Sequence, residues 1–177
     1  MNVICFGDSN TYGYDPRSYL GGRYDPDSRW VDILAVETGW SVCNMGQNGR
    51  EIPSAAPAFP ADTDLLIVML GTNDLLQGRS PEQAAERLER FLSGIPLDRS
   101  KILVIAPLPV KRGAWVPDQQ LIDDSRTFAR LCQALAEQLG TRFADAGKWD
   151  IPLAYDGIHF TEQGHKTFAA GLLEELK

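Results

Sequence analysis

Apolar residues in this chain come in short runs that stop at glycine or proline, and the runs alternate with segments of helical period. Asn2–Phe6 is a short apolar run ended by Gly7, which suits a buried strand. Ser28–Thr38 carries Trp30, Val31, Ile33, Leu34 and Val36 before Gly39, and predicts a helix packed on a sheet. Trp40–Asn44 predicts a second strand. Asp64–Leu70 is apolar almost throughout, as a central parallel strand covered on both faces should be, and Gly71 ends it. Ser80-Pro81-Glu82-Gln83 is a helix start: Ser80 can cap, Pro81 suits the first helical position, and Gln83 completes a capping box. Ala84, Ala85, Leu88, Phe91 and Leu92 continue as a helical stripe. Lys101–Ala106 predicts a further buried strand, ended by Pro107 and Pro109. From about Asp118 to Leu139 the apolar positions predict a long amphipathic helix. Thr141–Ala144 predicts an edge strand. Thr161 caps a last helix through Leu176, with Phe168, Leu172, Leu173 and Leu176 inward.

Strand–helix alternation implies an α/β fold, a parallel sheet with helices on both faces. Ligands of such sheets bind beyond the carboxyl ends of the strands. Gly7-Asp8-Ser9, Asn44-Met45-Gly46 and Gly71-Thr72-Asn73-Asp74 each follow a strand, so their polar, glycine-marked ends are expected on one rim. The length, 177 residues, fits a single domain spanning 1–177. A net charge of -7 argues against nucleic acid and against an anionic membrane surface as partners. No run reaches the roughly 18 apolar residues of a membrane-spanning helix. The N-terminus lacks a basic segment and turns polar after Phe6, so it does not read as a signal peptide. Cys5, Cys43 and Cys132 are odd in number and sit in apolar segments, which suits buried free thiols. The expectation is a cytoplasmic protein.

The chain has two histidines. His159 stands in a loop before the last helix, three residues after Asp156. A carboxylate there can accept from one ring nitrogen and leave the other free as a base. Ser9 at a strand end can cap a helix, or present its hydroxyl on the rim with its own N–H free as an oxyanion donor. Asn73 can form a turn or offer its amide to the rim. Gly46 can permit a turn or expose a backbone N–H. Two readings from other classes stay open on the residues alone. Asp8, Asn73, Asp74, Asp156 and His159 are hard-ligand types that could serve a metal-dependent phosphoesterase. The aromatics Tyr12, Tyr14, Trp115 and Tyr155 could serve a non-catalytic carbohydrate-binding module.

Taken in order, four blocks make a specific pattern: Phe6-Gly7-Asp8-Ser9-Asn10-Thr11-Tyr12-Gly13, Asn44-Met45-Gly46-Gln47-Asn48-Gly49, Gly71-Thr72-Asn73-Asp74 and Asp156-Gly157-Ile158-His159-Phe160-Thr161. Across nearly the whole chain they resemble the SGNH/GDSL-type serine hydrolases, and with Arg29-Trp30 most nearly their arylesterase and acetyl-esterase branch. Asn10 stands where the family name has leucine. The resemblance implies a three-layer α/β/α sandwich with a parallel, flavodoxin-like sheet of about five strands. It implies Ser9 as nucleophile, His159 as base, Asp156 as the residue that orients it, and an oxyanion hole of Ser9, Gly46 and Asn73. It implies no metal and no cofactor, a small-molecule ester as substrate, and room for a homo-oligomer. Asp8, Asn48, Tyr12 and Trp115 are the candidates for substrate contact. Only the segments Asp15–Asp27 and Pro107–Pro117 are long enough to wall the site, and neither reads as an apolar lid. Short acyl chains on an aryl or sugar alcohol are therefore expected, with a lysophospholipase or thioesterase as the alternative. Arg50 could meet an anionic group or be a solvated surface charge, and the second reading is preferred.

Overall fold

The computed structural model describes residues 1–18 and 20–177. Strand β1 is Asn2–Gly7, β2 Ser41–Gly46, β3 Leu65–Met69, β4 Ile102–Ala106 and β5 Arg142–Asp145. They form one sheet in the order β2-β1-β3-β4-β5, with every pairing parallel. This is the flavodoxin-like order, with its switch point between β1 and β3. The helices are α1 (Ser9–Tyr12), α2 (Trp30–Thr38), α3 (Thr72–Leu76), α4 (Pro81–Ser93), α5 (Gln119–Leu139) and α6 (Glu162–Glu175).

Alternation along the strands divides the core in two, because successive side chains point to opposite faces. Ile4, Phe6, Leu66, Val68 and Val104 meet Leu88 and Phe91 of α4 and Phe128 and Cys132 of α5. Val3, Cys5, Ile67 and Ile105 meet Trp30 and Leu34 of α2 and Phe168 and Leu172 of α6. All five residues of β3 are buried, as a central strand covered on both faces requires.

Local signals account for the helix ends. Ser80 and Gln83 form the reciprocal capping box that the sequence predicts, with Pro81 in the first turn. The Asp118 carboxylate accepts from the Leu121 N–H at 3.0 Å to start α5, and the Thr161 hydroxyl accepts from Gly164 N–H at 2.9 Å to start α6. Of two short helices, α1 is capped by Asp8 and α3 has no side-chain cap. Each begins within a few residues of a strand end, too briefly to show helical period, and each holds a residue of the expected rim.

One cysteine departs from expectation. Cys5 and Cys132 are buried, but Cys43 is exposed on β2, the edge strand of the sheet. Among the described residues, no helix is long and apolar enough to cross a membrane.

Register sets the rim. Gly7 pairs with Gly46 on one side and with Met69 on the other, so β1, β2 and β3 end level. Behind them Phe168 packs between Trp30, Trp149 and Phe160, with ring centroids 4.8, 5.1 and 5.3 Å away. Phe168→Ala is expected to cost about 3–5 kcal/mol of unfolding free energy, because the surrounding rings cannot close the gap. Urea unfolding at neutral pH measures it, and a loss below about 1 kcal/mol would show that the aromatic layer repacks.

Candidate active site

Ser9 is the first residue of α1. Its Oγ lies 3.0 Å from His159 Nε2, and His159 Nδ1 lies 2.7 Å from Asp156 Oδ2. Asp156 is fully buried. Its other oxygen accepts the backbone N–H groups of Ile158 at 2.9 Å and His159 at 3.0 Å. Burial works against its charge, yet the hydrogen bonds from the His159 side chain and backbone and from Ile158 outweigh it. The Asp156 carboxyl therefore stays below its usual range. With Asp156 ionised, Nδ1 carries the proton and Nε2 faces the hydroxyl as an acceptor.

These groups open on a cavity of about 360 Å³ lined by Ser9, Tyr14, Asn48, Gly49, Asn73, Leu76, Trp115, Ile158 and His159, among others. Tyr14 and Trp115 meet the His159 ring edge-on, with centroids 4.7 and 5.5 Å away. Trp115 is brought there by lacing of its loop: Ala114 N–H donates to Tyr155 O at 3.0 Å and Trp115 N–H to Asp156 O at 3.1 Å. Of the two expected walls, Asp15–Asp27 contributes Gly21 and Pro107–Pro117 contributes Trp115. Tyr19 of the first wall lies outside the described residues.

Asn73, in α3, donates one amide hydrogen to Arg50 O at 3.0 Å and lines the cavity, leaving the second hydrogen for a ligand. Next to it, the Asp74 carboxylate is fully buried and accepts Ile52 N–H at 2.8 Å. Its second oxygen pairs with Arg87 at 2.9 Å. The segment from Gln47 to Ile52 is thus tied to α3 at two points.

Four expected positions need correction. The Gly46 N–H donates to Asn44 Oδ1 at 2.9 Å and does not face the cavity. A Cβ at Gly46 would fall 2.1 Å from Tyr12 N, so glycine there serves the close approach of α1 to β2. Gly49 occupies the cavity wall instead. Its φ is +70°, and its N–H, like that of Ser9, meets no backbone acceptor among the described residues. Gly46 is still inside β2, whereas Asn48-Gly49 is the turn beyond it, and that dipeptide was the available signal. Asp8 is not a substrate contact: it is 2% exposed and caps α1 through Asn10 N–H at 3.0 Å. Tyr12 lies outside the cavity, under the Arg23 guanidinium at 4.5 Å, and Tyr14 stands in the site. Arg50 is no surface charge: its guanidinium turns inward to the carbonyls of Gly7 and Met45 and stacks on Phe6.

Tyr155 also lies away from the cavity, its hydroxyl donating to Pro16 O at 3.1 Å. Asn48 and Trp115 do line it. The second histidine, His165, is buried between Tyr24 and Phe160, and burial pushes its pKa down to about 3. Among the described residues, no three His, Cys, Asp or Glu side chains gather closely enough to hold a metal ion.

A parallel sheet that carries hydroxyl, imidazole and carboxylate in series at its rim is the architecture of a serine ester hydrolase. The chain belongs to the GDSL-like Lipase/Acylhydrolase family, which its residues 5–167 match, and it is a carboxylic ester hydrolase. Among solved structures, the native aryl esterase of M. smegmatis is 29% identical, with a TM-score of 0.80 over 99% of this chain and 97% of that one. The inhibitor-bound form of that esterase gives 26% and 0.85 over the same shares. A carbohydrate acetylesterase family member from Sinorhizobium meliloti has a TM-score of 0.82 over 99% and 96%, at 24% identity, a level that shows the fold alone. No curated protein matches the chain in sequence.

The buried Asp8 gives a pH test. Desolvation raises its carboxyl from 3.8 to about 6, against the opposing hydrogen bond from Asn10. Ionisation is therefore easier in the unfolded chain, and stability present below pH 3.8 is lost as pH rises through about 6. Asp8→Asn keeps an acceptor for Asn10 N–H and cannot ionise. It should melt above the parent near neutral pH, with the gap closing as pH falls toward about 4 and reaching at most about 3 kcal/mol. A gap independent of pH would show that Asp8 does not titrate in this range.

Proposed function

We propose that Ser9 attacks the carbonyl carbon of a short-chain acyl ester, aryl esters first and acetylated sugars second, and that His159 and Asp156 serve it. The observation that carries this reading is the unbroken series Ser9–His159–Asp156 opening on a cavity whose described lining has no Asp, Glu, Lys or Arg side chain. As Oγ bonds to carbon, its proton passes to His159 Nε2, and Asp156 stabilises the imidazolium. The carbonyl oxygen becomes an oxyanion. The N–H groups of Ser9 and Gly49 and the free amide hydrogen of Asn73 are its donors, with Gly49 replacing Gly46 in this role. Collapse breaks the bond to the alcohol, which leaves with the proton from Nε2. Water, deprotonated by the same nitrogen, then releases the acid and restores Ser9.

The choice of substrate rests on size and lining. Leu76, Ile158, Tyr14 and Trp115 offer apolar and aromatic contact in about 360 Å³, which suits a small acyl group and a ring. The M. smegmatis relative, an aryl esterase, supports the same choice. A net charge of -7 supports a small neutral partner over nucleic acid or an anionic membrane. Three unpaired thiols support a cytoplasmic, reducing setting.

Three outcomes are expected. With p-nitrophenyl esters, acetate and butyrate should exceed octanoate by about tenfold or more in kcat/KM, since added methylenes, each worth about 0.8 kcal/mol when buried, find no groove. Efficiency climbing steadily to decanoate would move the protein to the lysophospholipase or thioesterase branch. Ser9→Ala run beside the series should lose on the order of a million-fold in turnover and all fluorophosphonate labelling. Labelling elsewhere would overturn the nucleophile. Asn73→Ala should lower kcat by about a hundred- to a thousand-fold with little change in KM, because it acts on charge that develops in the transition state. A raised KM at constant kcat would make Asn73 a ground-state contact instead.

A further inference from the structure

We propose that Asn10 is a positioning residue: its side chain clamps the backbone on both sides of His159 and so sets the distance from the imidazole to Ser9. The proposal rests on the roles given to Ser9 and His159 under the proposed function.

Ser9 and His159 are 150 residues apart in sequence and meet across an interface between α1 and the loop before α6. A single hydrogen bond of 3.0 Å between two rotatable side chains cannot fix that interface. The neighbouring carboxamide does more. Asn10 Nδ2 donates to Ile158 O at 3.1 Å, and Asn10 Oδ1 accepts from Phe160 N–H at 2.9 Å. The two contacts bracket His159, the residue between them. They also fix the amide's orientation, because only this one presents a donor to the carbonyl and an acceptor to the N–H.

The clamp is itself anchored. Asn10 is 8% exposed. Its N–H donates to Asp8 Oδ1 at 3.0 Å, and its carbonyl accepts from Trp30 Nε1 at 2.9 Å. On the opposite side, Asp156 takes the Ile158 and His159 N–H groups, and His159 O accepts from Ala154 N–H at 2.7 Å. Every backbone donor and acceptor from Ile158 N to Phe160 N therefore has a partner. Two of them are supplied by the residue next to the nucleophile. Leucine at position 10 has similar bulk but could make neither bond. It would also strand the Ile158 carbonyl and the Phe160 N–H in a buried place.

Small displacements matter here, since a misplacement of about 1 Å in a reacting pair can cost about a hundredfold in rate. Loss of the clamp should therefore appear in turnover and not only in stability.

The experiment compares the parent with Asn10→Leu, Asn10→Asp and Leu135→Ala. Leu135 is buried in the last turns of α5, remote from the site, and its truncation is a control for general loosening. Asn10→Asp is isosteric and keeps the acceptor for Phe160 N–H while setting a carboxylate oxygen against Ile158 O. It serves if the leucine variant fails to fold. Fluorophosphonate labelling first counts competent Ser9 in each preparation, and kcat and KM for p-nitrophenyl acetate are expressed per labelled site well below each melting temperature. Both Asn10 variants should lose about tenfold to a hundredfold in kcat with KM within about twofold, and their phosphonylation rates should fall in parallel. Leu135→Ala should melt lower at parental kcat. Parental kcat per site in a folded Asn10 variant would reduce Asn10 to a structural residue and overturn the proposal. A parent protein that takes no label at Ser9 would instead overturn the functional reading beneath it.

Discussion

A carboxylate shut away from water organises the reactive end of this molecule. Asp156 is fully buried, and an ionised carboxylate in that position is tolerable only when hydrogen bonds replace its hydration. The donors come from its own loop: two backbone N–H groups and the His159 ring. Satisfying the charge thus folds the loop, selects the imidazole tautomer and turns Nε2 outward at once. The requirement reaches further, since the carbonyls of Tyr155 and Asp156 are left to accept from Ala114 and Trp115, which brings the tryptophan to the cavity.

A second buried carboxylate does the same for the opposite wall. Asp74 accepts Ile52 N–H and pairs with Arg87, while Asn73 beside it holds the Arg50 carbonyl. The oxyanion donors proposed for this site come from α1, the turn at Gly49 and α3. Their relative placement depends on the level ends of β1 and β3 and on this lacing between α3 and the segment from Gln47 to Ile52. The sheet supplies coarse position and the buried polar groups supply the fine adjustment.

The elements legible in the sequence were those whose own residues carry the signal. The apolar run of β3, the Ser80–Gln83 box and the period of α5 need no partner to be read. The series Ser9, Asp156 and His159 was legible through the four ordered blocks and the resemblance they carry, with Ser9 just past a strand end and Asp156 three residues before His159 in the loop that precedes the last helix. What escaped depends on pairing. Whether Gly46 or Gly49 faces the cavity is decided by how far β2 continues beside β1, and Gly46 is its last paired residue. Cys43 looked buried because nothing local marks β2 as an edge. Arg50 looked like a solvent charge because the carbonyls it meets, at Gly7 and Met45, converge only in three dimensions. The contacts of Asn10, which stands where the family name has leucine, are not legible beside the nucleophile, since its partners lie near the far end of the chain.

The uncharged lining of the cavity also governs how the reaction ends. Hydrolysis turns a neutral ester into an acid that ionises at neutral pH. The Arg50 guanidinium is occupied by main-chain carbonyls, and no Lys or Arg is among the described residues that line the cavity. Such an anion leaves apolar surroundings for water and departs from a protein that is itself strongly negative. The same lining that suits a neutral ester thus disfavours the anion that its hydrolysis yields.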